Sequence, residues 1–219
     1  MANGRTDRIS QRDVEVLGFI ARFGVVSRQA VSGWAGTAQS CTLARERRLR
    51  EAGLVEVRCG VWGEGKLLAA TRPGLALCGR GELRPARFSL ASVRHEAAVS
   101  ELAAAIERRG GRTLSEREIA ARERERGERL LSAELGAKRF HRADLLRLGS
   151  DGEAPEAIEV ELTAKGQARL DELLRAWRWA VAERRLKRVV YLCPPRVHGV
   201  LERAVKRTGV EPAVAVQEL

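Results

Sequence analysis

Three carboxylates and an amine stand close together in the stretch 141–165, HRADLLRLGSDGEAPEAIEVELTAK. Asp144 lies among Ala143, Leu145 and Leu148, as an inner position of an apolar strand would. Glu159 and Glu161 are two residues apart, so on a second strand both side chains point to one face. Lys165 follows four residues later. Three acids with a lysine are the groups that hold a divalent cation, Mg²⁺ or Mn²⁺, and activate a water for phosphodiester cleavage. On that reading Asp144 and Glu159 are the metal ligands, and Asp144, Glu159, Glu161 and Lys165 form the catalytic set. The same spacing also describes two solvent-facing glutamates on an edge strand, and spacing alone leaves both readings open.

The elements that must position these groups surround them. Gly149, Gly152 and Pro155 mark the loop between the two acidic strands, and a helical stripe of Leu170, Leu173, Leu174, Trp177 and Val181 starts after Gly166. Trp177 and Trp179 both read as packing residues. The run KRVVYLC, 187–193, is of buried-strand type and is ended by Pro194 and Pro195. A helix over 197–208 and a strand over 212–217 complete the chain. Upstream, Ser92 caps a helix whose buried side is Val93, Ala97, Leu102 and Ile106 and which stops at Gly110 and Gly111. His95 on that helix reads as a packed or surface histidine. RTLSEREIA, 112–120, reads as a strand, and the charged stretch ARERERGERLLSAELGAK as a solvated helix or insertion.

The chain has 219 residues, 44% of them apolar, enough to build a core and too many for a disordered chain. A net charge of +11 makes a polyanion, above all nucleic acid, the leading partner class. Residues 1–87 hold 15 Lys and Arg against 8 Asp and Glu, and 88–219 hold 25 against 21, so the N-terminal part is the stronger electrostatic footprint. Cys41, Cys59, Cys78 and Cys193 have no CxxC spacing and read as reduced core residues rather than zinc ligands. MANGRTDRIS lacks the apolar core of a signal peptide and no run is long enough for a membrane span, which predicts a cytoplasmic protein without a membrane partner.

From the N-terminus, Ser10 caps a helix carrying Val14, Leu17, Phe19, Ile20 and Phe23, and Ser27 caps a short helix that stops at Gly36. A third helix runs from Thr37 or Ser40 to Gly53 and carries Arg45, Arg47, Arg48 and Arg50 within six residues. A hairpin follows, 54–58 and 66–70, turning around Gly60, Trp62, Gly63 and Gly65. Three short helices and a glycine-tipped hairpin resemble the winged helix-turn-helix arrangement over about residues 8–80, with a last helix from about Arg72. That resemblance implies that Gln39, Ser40, Thr42, Leu43, Arg45 and Arg47 face base edges or nearby phosphates. Arg48 and Arg50 belong to the same basic helix, and Arg58 and Lys66 would contact the backbone from the wing. The alternative is an arginine-rich solvated helix in a domain used for protein contact.

Asp on one central strand followed by Glu-x-Glu on the next resembles the restriction-endonuclease-like core, the PD-(D/E)xK superfamily. In such cores the helix before the sheet often supplies a further acid, here Glu96. Ala143 stands where that family usually has Pro, and Glu161 where it usually has Lys. SERE at 115–118, RAD at 142–144 and EVELTAK at 159–165, after the winged N-terminus, are similar to the replication-relaxation family of actinobacterial plasmids and mobile elements. The implied fold is α+β. A winged helix-turn-helix domain spans 1–80, a linker 81–91 and a restriction-endonuclease-like α/β domain with a central mixed sheet 92–219. The implied partner is double-stranded DNA, with a homodimer as a further expected state.

Function divides along the acids. The missing lysine favours a non-enzymatic DNA-binding regulator of replication, transfer or transcription with a degenerate nuclease-like domain. The surviving acids favour a metal-dependent endonuclease or nickase delivered by the winged domain. An antitoxin-like transcriptional repressor is a third reading.

Overall fold

The computed structural model describes residues 9–59, 65–86, 89–129, 131–136, 139–150 and 152–219, a mixed α+β chain in two compact units, 1–111 and 112–219. In the first unit α1 (Gln11–Ala21) begins at a capping box: Ser10 accepts from the Asp13 N–H while the Asp13 carboxylate accepts from the Ser10 N–H. A short β1 (Val26–Ser27) leads into α2 (Arg28–Ala35), capped by the Ser27 hydroxyl and closed by Gly36 in the left-handed conformation, φ 63°. Then come α3 (Gln39–Glu51), β2 (Val55–Cys59), β3 (Lys66–Ala70) and α4 (Arg72–Leu77). The three strands form an antiparallel sheet in the order β1-β3-β2. Its core holds Val16, Leu17, Phe19, Ile20, Val31, Leu49, Leu68 and Leu75. Gly74 is needed where α4 meets the chain entering β2, because a Cβ there would lie 2.1 Å from the Leu54 carbonyl oxygen. The expected hairpin turn at Gly60, Trp62 and Gly63 lies outside the described residues.

Helix α5 (Val93–Arg108), expected to open the second domain, packs on the first unit against α2 and β1. Its Val93 and Ala97 join Val25 and Leu67 in one apolar cluster. Three polar latches reinforce the contact. The Ser27 hydroxyl donates to Glu101 at 2.6 Å, the Trp34 indole N–H to Glu107 at 2.8 Å, and Arg22 pairs with Glu107 at 2.6 Å. The division therefore falls after Gly111 rather than in 81–91. Glycines 110 and 111, read as the stop of a helix inside a domain, mark the passage from one unit to the next.

The second unit comprises β4 (Arg112–Ser115), α6 (Glu116–Arg126), β5 (Ser132–Glu134), β6 (Phe140–Arg142), β7 (Leu145–Leu148), β8 (Glu156–Val160), α7 (Gln167–Ala182), β9 (Arg188–Cys193), α8 (Pro195–Thr208) and β10 (Val214–Glu218). Five strands form a mixed sheet ordered β10-β9-β8-β7-β4, with β8, β9 and β10 parallel and β7 antiparallel to both neighbours. The expected strand over 112–120 ends at Ser115, whose capping box with Glu118 turns the chain into α6. Strand β5 sits inside the charged stretch read as a solvated helix or insertion, and it pairs with β6 just beyond that stretch. Helices α7 and α8 share one core with the sheet: Leu170, Leu173, Trp177 and Leu201 meet Leu146, Ala157, Val189 and Tyr191. Trp177 is fully buried, whereas Trp179, also read as packing, is 68% exposed. Cys193 is buried as expected, but Cys41 is exposed on α3, so not every cysteine is a core residue.

Candidate functional site

Two groups of residues carry the chemistry, one in each unit. On α3 the arginines divide by helical phase. Arg45 and Arg48 turn inward and donate to the buried Asp13 carboxylate at 2.7 and 2.9 Å. Glu46 is likewise buried and accepts a fork from Arg28 at 2.5 and 2.6 Å. Gln39, Ser40, Leu43, Arg47 and Arg50 lie on the exposed side. Arg47 meets Glu51 at 2.8 Å, but both side chains are mostly in water, where such a pair is weak and yields readily to a phosphate.

The sequence expectation for this helix is thus corrected at three positions. Thr42 is 1% exposed and belongs to the core, the Arg45 guanidinium is committed inward to Asp13, and Arg48 is bonded to Asp13 while its side chain stays 39% exposed. Arg58 is exposed on β2 beside Glu56, and Lys66 is exposed at the start of β3. A cleft of about 410 Å³ opens beside the exposed row, lined by Ser27, Gln29, Gln39, Leu43 and Lys66 among others.

In the second unit, β7 pairs Leu145 with Ile158, and one step further along this antiparallel register Asp144 stands opposite Glu159. On the other side of β8, Glu159 is paired with Tyr191 of β9. The three side chains therefore share one face of the sheet, the face that α7 covers. Asp144 Oδ2 accepts the Val160 N–H at 2.7 Å. His141 Nε2 lies 3.0 Å from both oxygens of Glu159, and its ring meets Trp177 edge-on at 5.8 Å. Because β8 ends at Val160, the chain turns early enough for Lys165 to reach back and donate to Glu161. Glu96, the further acid implied by the resemblance, lies in the first unit, where it accepts from the Ser92 hydroxyl at 2.7 Å.

Burial governs the protonation of this cluster. Glu159 is 2% exposed; desolvation pushes its carboxyl up, the nearby Asp144 charge adds to that, and His141 offsets only part, leaving a pKa of about 7. For His141, burial works against the charged ring, but the Glu159 carboxylate more than offsets it and the pKa is raised. Burial also drives the Tyr191 hydroxyl upward, reinforced by Glu159, Glu161 and Asp144. The Trp177 indole N–H near that hydroxyl offsets only part of the rise, and neither group has a partner at full hydrogen-bond geometry.

These commitments decide how the acids stand toward a cation. Glu159 faces an imidazole with both oxygens, Glu161 an ammonium, and one oxygen of Asp144 a backbone N–H. Among the described residues no three His, Cys, Asp or Glu side chains are grouped to hold a metal ion. A cation at Glu159 would have to displace His141. As arranged, Asp144 and Glu159 do not fit a bound Mg²⁺ or Mn²⁺.

Sequence reasoning brought Asp144, Glu159, Glu161 and Lys165 together and missed the residues that answer or face them, His141 and Tyr191. His141 was legible only as a polar residue three before Asp144, and Tyr191 only as one more apolar position of a buried strand. No protein-family model and no curated protein matches this chain.

Proposed function

We propose that this chain is a non-enzymatic DNA-binding protein that reads double-stranded DNA through the exposed row of α3. The observation that carries this reading is the division of the α3 arginines. Arg45 and Arg48 fix the helix to Asp13, leaving Gln39, Ser40, Leu43, Arg47 and Arg50 facing solvent with polar and cationic ends that suit base edges and phosphates. The order of three helices followed by an antiparallel hairpin supports the winged helix-turn-helix reading of the first unit, with Arg58 and Lys66 as backbone contacts. The net charge of +11 supports a polyanionic partner. By the family resemblance, the process served is replication, transfer or transcription of a mobile element in the cytoplasm. No described helix is long and apolar enough to cross a membrane.

The second reading, a metal-dependent nuclease, is favoured by one observation, Asp144 opposite Glu159 on one sheet face. The burial of Glu159 against His141, and the commitment of one oxygen of the half-buried Asp144 to the Val160 N–H, favour the first. Binding of the full chain to duplex DNA tests it. If about six phosphates are neutralised, log K falls against log[salt] with a slope of about −5. Affinity that ignores salt, or is unchanged in an Arg47→Ala, Arg50→Ala double variant, would overturn the α3 reading. Nicking of supercoiled plasmid with Mn²⁺ that vanishes in Asp144→Ala would establish the second reading instead. Sedimentation of the protein with and without a DNA site reads out the expected homodimer.

A further inference from the structure

Trp177 and Trp179 sit two residues apart on α7 and face opposite ways. Trp177 is fully buried, while Trp179 is the most exposed large apolar side chain among the described residues. On the same side of the helix, four residues and one residue before it, stand Arg175 and Arg178, both exposed. The acids on that side are already matched. Asp171 is bonded to Arg207 at 2.5 Å, and Glu172 pairs with Arg169 at 2.9 Å and with Arg139 at 2.5 Å. Neither Arg175 nor Arg178 forms an ion pair with any described residue, and although Arg175 lies near enough to Asp171 to help lower its pKa, the arginines outnumber the acids and the surface around the indole carries a net positive charge.

We infer that this face of α7 is a docking surface for single-stranded nucleic acid, with Trp179 as a stacking plane for a base and Arg175 and Arg178 as phosphate contacts. Charge complementarity selects a polyanion, and the exposed indole selects one with free aromatic faces. A duplex keeps its base faces within the stack, whereas every unpaired base offers one. An exposed indole adds little buried area to the fold, and flanking guanidinium groups are the usual companions of base stacking. The surface lies outside the α3 row, so it stands or falls independently of the duplex-binding reading.

The test is binding of fluorescein-labelled oligothymidine to the full chain, followed by anisotropy and by quenching of tryptophan fluorescence. Trp179→Ala is expected to weaken binding at least about fivefold, since stacking on one base accounts for that much or more, and Trp179→Phe to restore most of it. Arg175→Ala and Arg178→Ala should each reduce the magnitude of the salt slope by about 0.7. The Arg47→Ala, Arg50→Ala variant should keep its oligothymidine affinity, which separates this surface from α3. Unchanged affinity in Trp179→Ala would overturn the inference. So would an equal loss for blunt duplex, or sedimentation showing that Trp179→Ala dissociates a dimer of this chain, since the indole would then be a protein contact.

Discussion

The basic helix of the first unit and the acidic cluster of the second both concentrate like charge in a short stretch, and the fold treats them differently. Four arginines fall between 45 and 50; two are drawn inward to one buried carboxylate and two are left to solvent. The inward pair supports the outward pair, because Asp13 also caps α1 and so ties α3 to the start of its neighbour. The acids at 144, 159 and 161 are not divided. Glu159 and Glu161 are buried and Asp144 half-buried, and each meets a counterpart, a backbone N–H for Asp144, an imidazole for Glu159 and an ammonium for Glu161. A charged residue is evidence of binding when the structure leaves its charge unanswered, and evidence of architecture when a buried partner answers it.

Breaking the inward half of this comparison should have the largest effect. Asp13→Ala leaves two guanidinium groups without their acceptor and opens the α1 capping box; removing one partner of a buried charge cluster costs about 3–5 kcal/mol. Chemical denaturation should show that loss, and a loss below about 1 kcal/mol would mean that the arginines find other partners. The pH dependence has a definite sign. Burial raises the Asp13 pKa, but bonds from Arg48, Ser10 and Arg45 more than offset it, and the result is about 2 against an ordinary 3.8. Its contribution is therefore complete above the ordinary value and is lost as pH falls toward about 2.

The acid cluster should respond at the other end of the scale. Glu159 titrates at about 7 instead of 4.5, so the folded state holds a proton that the unfolded chain releases, and stability falls as pH rises between those values. His141 is also raised, so its contribution is present below 6.5 and is lost as pH rises through its folded value. Both shifts act in one direction. Thermal unfolding from about pH 5 to about pH 8 should show a falling melting temperature, flattened in a His141→Gln, Glu159→Gln double variant. A wild-type profile that is flat or rising over this range would break the contrast with Asp13.

How much of this was legible in the sequence follows from how local each cause is. Caps at Ser10 and Ser27 act within a few residues, and the structure has them where the sequence places them; Glu159 lies on β8, whereas Glu161 falls one residue past its end. The end of β4 at Ser115 was missed because a Ser-x-x-Glu box inside a mixed run looks like strand until the cap is recognised. The burial of Thr42 and the partner of Arg45 and Arg48 were missed for another reason: helical phase depends on which neighbour supplies the core, and Asp13 is some thirty residues away in sequence. The pairing of Glu159 with His141 crosses eighteen residues. Helix α5 was assigned to the wrong side of the boundary because Glu101 and Glu107, which latch it, look like ordinary surface acids in an amphipathic stripe.

The outward half of the α3 comparison predicts a middle-sized effect that appears in binding alone. Arg47→Ala should weaken duplex affinity by about 1–3 kcal/mol if the side chain reads a base and by less if it meets phosphate, while stability stays within about 0.5 kcal/mol of wild type. Arg45→Ala should do the reverse, lowering the denaturation midpoint with no change in salt slope beyond that of the unfolded fraction. If both variants lose affinity at unchanged stability, the helix presents all its arginines and the division by phase is wrong.

The smallest effects concern one buried hydroxyl in each region. Thr42 Oγ1 has no hydrogen-bond partner and borders a void of about 10 Å³, a space at the lower limit for one water, lined by Val16, Ile20, Val31 and Leu49 and also by Arg45 and Glu46. Thr42→Val keeps the shape and removes the orphan, so it should leave DNA affinity unchanged and raise stability by up to about 1 kcal/mol. Tyr191 is the counterpart, a hydroxyl without a partner at full hydrogen-bond geometry that faces Glu159, Glu161 and Asp144 with the Trp177 indole N–H nearby. If the acid cluster is dry, Tyr191→Phe should behave as Thr42→Val does, neutral to stabilising in denaturant titration. A loss of more than about 1 kcal/mol would mean instead that a buried water links the hydroxyl to the carboxylates, making this a hydrated internal network whose members cannot be removed singly.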